Sequence, residues 1–147
     1  MDLILEKLKP LQKLVGTWNT TGIVHATDTT PQKSIRGTDT YSWLPGEYFL
    51  LHTVDVWMGD ELNQTHEVIG YEKEKDFFFT HYFDNKGQSG TMIIMVREPL
   101  WVFHGGTLRF TGSFTLDDQE FSGIWEQLDE ARNWLPLMDI KLTRGNK

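Results

Sequence analysis

The sequence predicts an all-β protein, a single closed antiparallel barrel of about ten strands preceded by an N-terminal helix. Three observations carry that expectation. From Gly16 to Arg144 apolar and polar residues alternate in segments that recur every 8 to 14 residues or so, with Gly, Pro, Asn or Asp between them. The period is helical only before Gly16, so no second layer of helices covers the sheet. A meander of that many strands must then close on itself or leave two long edges exposed. A barrel of this girth is wider than its inward side chains fill, which leaves a cavity for one small ligand. The alternative is an interior packed solid by the six Trp, nine Phe and four Tyr.

Each element has its own signal. Leu3, Ile4, Leu8, Leu11 and Val15 form the apolar stripe of a helix over residues 1–14, with Lys9-Pro10 marking its end or a kink. Gly16-Thr17-Trp18 opens a first strand that runs to about Thr27, and a polar loop follows from Asp28 to Gln32. A second strand, Ser34 to Leu44, ends at Pro45-Gly46, where Pro presets one turn dihedral and Gly supplies the other. Three long strands follow, Glu47 to Met58, Leu62 to Tyr71 and Phe77 to Asp84, joined at Gly59-Asp60 and Lys73-Glu74-Lys75. Asn85-Lys86-Gly87 turns into Gln88 to Arg97, which Glu98-Pro99 ends. Leu100 to His104, Thr107 to Leu116, Glu120 to Leu128 and Trp134 to Arg144 complete the set. At 147 residues the chain suits one domain, with the helix over 1–14 and the barrel over 16–144.

Composition excludes several functions. A formal charge of -7 and a pI near 5.1, with no cluster of Lys or Arg, argue against nucleic acid or an anionic membrane as partner. The absence of cysteine rules out disulfides and thiolate metal sites and suits a cytoplasmic location. Charged residues break up the N-terminal apolar stripe, which is not a signal peptide, and no run is long enough to span a bilayer.

The candidate site lies on the three central strands. A two-residue turn at Gly59-Asp60 pairs Met58 with Glu61 and places His52 opposite Glu67. A three-residue turn at 73–75 would bring His81 opposite Glu67 as well. One face then carries Tyr48, His52, Glu67, His81 and Phe83, an aromatic wall with one polar row, and these residues are expected to line the ligand cavity. Arg109, on a Gly-flanked strand, is a further candidate for meeting a ligand carboxylate.

A longer pattern carries a resemblance. Gly16-Thr17-Trp18, the run from Tyr41-Ser42-Trp43-Leu44-Pro45-Gly46 to Leu50, Phe83-Asp84-Asn85-Lys86-Gly87, Arg109-Phe110-Thr111-Gly112, Trp125-Glu126 and Met138-Asp139-Ile140 together resemble a mainly bacterial family of calycin-like proteins. That family is a domain of unknown function distantly similar to nitrobindins. The resemblance runs from about Leu14 to Arg144 and implies a lipocalin-like barrel in which the Trp plugs the closed end. It brings no established activity. Nitrobindins hold haem through a histidine on a late strand, and this sequence has none after His104, leaving Met138 as the alternative ligand.

The expectation is therefore a protein that binds a small, mostly apolar or amphipathic molecule, with no cofactor assigned. His52, His81 and Glu67 could instead form a facial metal triad, or Glu67 could simply accept hydrogen bonds from both imidazoles. His52 held by Glu67 is also the base-and-orienter pair of a cofactor-free isomerase or cyclase, although no Ser or Cys nucleophile motif accompanies it. A homodimer would pack by faces or through the helix, since a closed barrel has no free edge.

Overall fold

In a computed structural model, described for residues 2–145, the expected barrel forms and closes. The ten strands are β1 (Gly16–Val24), β2 (Lys33–Trp43), β3 (Leu50–Met58), β4 (Glu61–Glu72), β5 (Phe77–Asp84), β6 (Ser89–Arg97), β7 (Leu100–Gly105), β8 (Leu108–Phe114), β9 (Glu120–Leu128) and β10 (Trp134–Arg144). Each pairs antiparallel with its neighbours in sequence, and β1 pairs with β10 to leave no edge. Pro136, which has no N–H to give, coincides with a register shift between β9 and β10.

The N-terminal stripe is buried as its spacing requires. α1 (Leu3–Leu8) is capped by Asp2, whose carboxylate accepts from the N–H groups of Ile4 and Leu5. At Lys9-Pro10 the chain tightens into a 3-10 helix, Lys9–Leu14. Leu8, Leu11 and Leu14 from these turns close one end of the barrel over Trp18, whose indole N–H donates to the Leu14 carbonyl at 2.8 Å. The Arg144 guanidinium lies 3.9 Å from the Trp18 ring centre and donates to the carbonyls of Val15 and Lys13. Gly16, at φ 133°, keeps that space clear, because a Cβ there would stand 2.7 Å from an Arg144 nitrogen.

Inside, the strands alternate as the pleat demands. Trp101, Phe110, Phe114 and Phe121 interlock in the lower barrel, with ring centres 4.4 to 6.1 Å apart where they or Trp18 meet. Gly112 and Gly123 face one another across β8 and β9, where a Cβ on either would stand 2.7 Å from the Phe110 ring. The interior is therefore not packed solid: aromatic side chains fill the helix end and a hollow remains at the other. No helix among the described residues is long and apolar enough to cross a membrane.

Two connections depart from expectation. The turn from β4 to β5 holds four residues, 73–76, with Asp76 at φ 55°, so Tyr71 pairs with Phe78 and Glu67 with Tyr82. That one-residue slip turns Phe78, Thr80 and Tyr82 inward and His81 and Phe83 outward. β3 begins at Leu50, because Gly46 and Glu47 both adopt positive φ and the chain still turns at Tyr48.

Candidate functional site

The hollow is a cavity of about 460 Å³ at the end opposite the helix. Ile35, Val56, Met92, Phe103, Phe110, Trp125 and Ile140 give it largely apolar walls, and Asn63, Asp84 and Gln88 stand near its mouth. Its polar feature is a connected chain on β1 to β4: Thr20, Asp39, His52 and Glu67. The turn at Gly59-Asp60 sets Met58 against Glu61 and so His52 against Glu67, as the hairpin arithmetic requires. Inward alternation from Trp18 brings in Thr20, and Ile35, Gly37, Asp39 and Tyr41 follow the same parity on β2.

His52 is only 8% exposed, and each ring nitrogen meets a carboxylate. Nδ1 lies 2.8 Å from Glu67 Oε1, and Nε2 lies 2.6 Å from Asp39 Oδ2. Since a carboxylate only accepts, both nitrogens carry protons and the ring is an imidazolium. Burial, the largest single influence, acts to lower the His52 pKa from 6.5, but the hydrogen bonds and charges of Asp39 and Glu67 outweigh it and hold it at about 9. The Thr20 hydroxyl donates to the other Asp39 oxygen at 2.5 Å. Tyr41 stacks on the imidazolium with ring centres 3.9 Å apart and planes within 6°. Burial and then the charges of Asp39 and Glu67 push the Tyr41 phenol well above its usual range, so it keeps its proton.

Sequence reasoning brought together two of these groups and missed the others. Tyr48 lies outside the cavity, 39% exposed, its hydroxyl donating to Asp2 at 2.6 Å beside the helix cap. His81 is exposed on the outer face, and Phe83 is 56% exposed there. Arg109 also points outward, paired with Glu126 at 2.8 Å and stacked 4.1 Å from the Trp134 ring centre, so it is not free to meet a ligand in the cavity. Asp39 completes the site from β2, and the signal for it was the inward parity shared with Tyr41.

The donor set suits neither haem nor a metal triad. Of the five histidines only His52 lines the cavity, and both of its nitrogens are engaged. Met138, which lines the wall, offers a single thioether. Among the described residues no three His, Asp or Glu side chains are arranged to hold a metal ion.

Comparison with solved structures finds the same architecture in the crystal structure of Rv2717c from M. tuberculosis, with a TM-score of 0.69, 13% identity, and 95% of this chain and 98% of that chain covered. At that identity the likeness concerns the fold. No curated protein matches. The family described as "Protein of unknown function (DUF1579)" matches residues 6–117, from the helix through β8 and so across every strand that supplies the polar chain. The chain belongs to the DUF1579 family.

Proposed function

We propose that the protein binds a small, mostly apolar molecule in the barrel cavity and orients it against the Thr20–Asp39–His52–Glu67 chain. The observation that carries this reading is a hollow of about 460 Å³ with largely apolar walls and one buried polar cluster. That combination is the usual make-up of a small-molecule site. A cluster of buried charges is costly to fold around, and apolar residues filling such a space are often neutral or stabilising, so its presence in the wall favours a role in recognition. The geometry does not favour His52 as a general base, because its ring is already doubly protonated at neutral pH and holds no free lone pair. The wider kinship with calycin barrels is part of the proposal, supported by Trp18 under the helix and the Arg144 stacked on it.

Native mass spectrometry of freshly purified protein, together with titration by the neutral dye Nile red, tests the reading. Val54 faces the cavity, so Val54→Trp should crowd it and weaken both adduct and dye uptake while circular dichroism stays that of the wild type. A wild-type protein that carries no adduct and takes up no dye would refute the proposal.

A further inference from the structure

The charge balance of the cavity narrows the class of ligand, an inference that rests on the binding role proposed above. Two carboxylates, Asp39 and Glu67, face one imidazolium, leaving one negative charge uncompensated in the wall, and Asp84 adds a further carboxylate near the mouth. Asp39 and Glu67 are each 7% exposed, so water screens that charge poorly. Among the described residues no Lys or Arg lines the cavity. Arg144, inward at the closed end, spends its guanidinium on Trp18 and three backbone carbonyls, and Arg109 spends its own on Glu126 outside.

The hydrogen-bond inventory points the same way. Both Asp39 oxygens and Glu67 Oε1 are occupied, by Thr20 and by the two nitrogens of His52. Glu67 Oε2 has no partner among the described residues, although the side chain is buried and lines the cavity. The site therefore presents an open, charged acceptor. Nearby, Tyr41, Phe110 and Trp125 offer ring surfaces of the kind that favour a cation over an anion.

We propose that the cavity takes an organic monocation, a compact amphiphile with an apolar body and one protonated amine that donates to the free oxygen of Glu67. Fatty acids and other carboxylates, the usual cargo of barrels that carry an inward Arg, are excluded by the same feature, since their head group would meet like charge without water to screen it.

Calorimetric titration with three compounds of one body tests this: 2-(1-naphthyl)ethylamine, 2-(1-naphthyl)ethanol and 1-naphthylacetate. The amine should bind at least about tenfold more tightly than the alcohol, because both donate to the carboxylate but only the ammonium adds an opposite charge at a poorly screened site, and the acetate should bind most weakly. In Glu67→Gln the preference of amine over alcohol should fall to within about threefold, while the apolar body still holds the alcohol in the cavity with no more than about a tenfold loss for the charged acceptor removed. Retained alcohol binding shows that the variant is folded; if it is not, Asp39→Asn, which also removes one negative charge, should shrink the preference in the same direction. An alcohol or acetate that binds wild-type protein as tightly as the amine, or an amine that fails to bind where Nile red does, would overturn the charge inference and leave the cavity's binding role standing. Failure of all three compounds and of Nile red would end both.

Discussion

The His52 imidazolium makes the stability of the barrel depend on pH in a defined window. Below about pH 6.5 the ring is protonated in both the folded and the unfolded chain, and its pairing with Asp39 and Glu67 contributes fully. Between 6.5 and about 9 only the folded chain holds the proton, so stability falls as pH rises, and above about 9 the contribution is gone. A displacement from 6.5 to about 9 corresponds to about 3 kcal/mol at about 1.4 kcal/mol per unit. That is a large share of the roughly 5 to 15 kcal/mol that holds a domain folded. Urea unfolding at intervals from pH 6 to 10 reads it directly, as a fall in midpoint of about 1 to 3 M for an m-value of about 1 to 3 kcal/mol/M. The triple variant Asp39→Asn/His52→Gln/Glu67→Gln keeps the shape of the cluster without its charges, so subtracting its profile removes the titration of every other group. A difference between the two proteins that changes by less than about 1 kcal/mol across the window would refute the charged assignment. So would a His52 ring resonance that titrates near 6.5.

Further predictions concern the plug and the outer face. Arg144→Ala removes three hydrogen bonds to backbone carbonyls and the stacking on Trp18, and thermal or urea unfolding should show a loss of about 2 to 4 kcal/mol. His81→Ala and Phe83→Ser change only exposed outer positions and should leave Nile red affinity within about twofold of wild type, with stability within about 0.5 kcal/mol. Arg109→Ala breaks a partly exposed ion pair and should cost about 1 kcal/mol or less without altering ligand affinity; a clear loss of binding would place the ligand outside the barrel.

The contrast between His52 and His81 shows what the sequence could and could not reveal. Gly59-Asp60 admits one short turn, so the pairing of His52 with Glu67 could be counted out residue by residue. The turn after Glu72 could hold three residues or four, and Asp76 in a left-handed conformation decides for four, which reverses the facing of the whole of β5. Thr20 and Asp39 were obscured differently. β2 reaches β3 through a bent six-residue segment, from Leu44 to Phe49, whose geometry no short-turn rule fixes, and Asp39 reaches His52 diagonally, two residues from the directly opposed Tyr41. The apolar helical stripe was easier to read, because such a face must be buried somewhere, and the resemblance to calycin-like barrels implied that Trp18 plugs the closed end it covers.

The most direct test of the whole account is a crystal structure of the protein with 2-(1-naphthyl)ethylamine bound. The ring system should lie within the barrel against Phe110 and Trp125, with its nitrogen at hydrogen-bond distance from the free oxygen of Glu67. Density for the amine only in the outer groove between α1 and the strands β5 and β6, beside Lys7, Tyr71 and Asp76, with the interior unchanged, would contradict it.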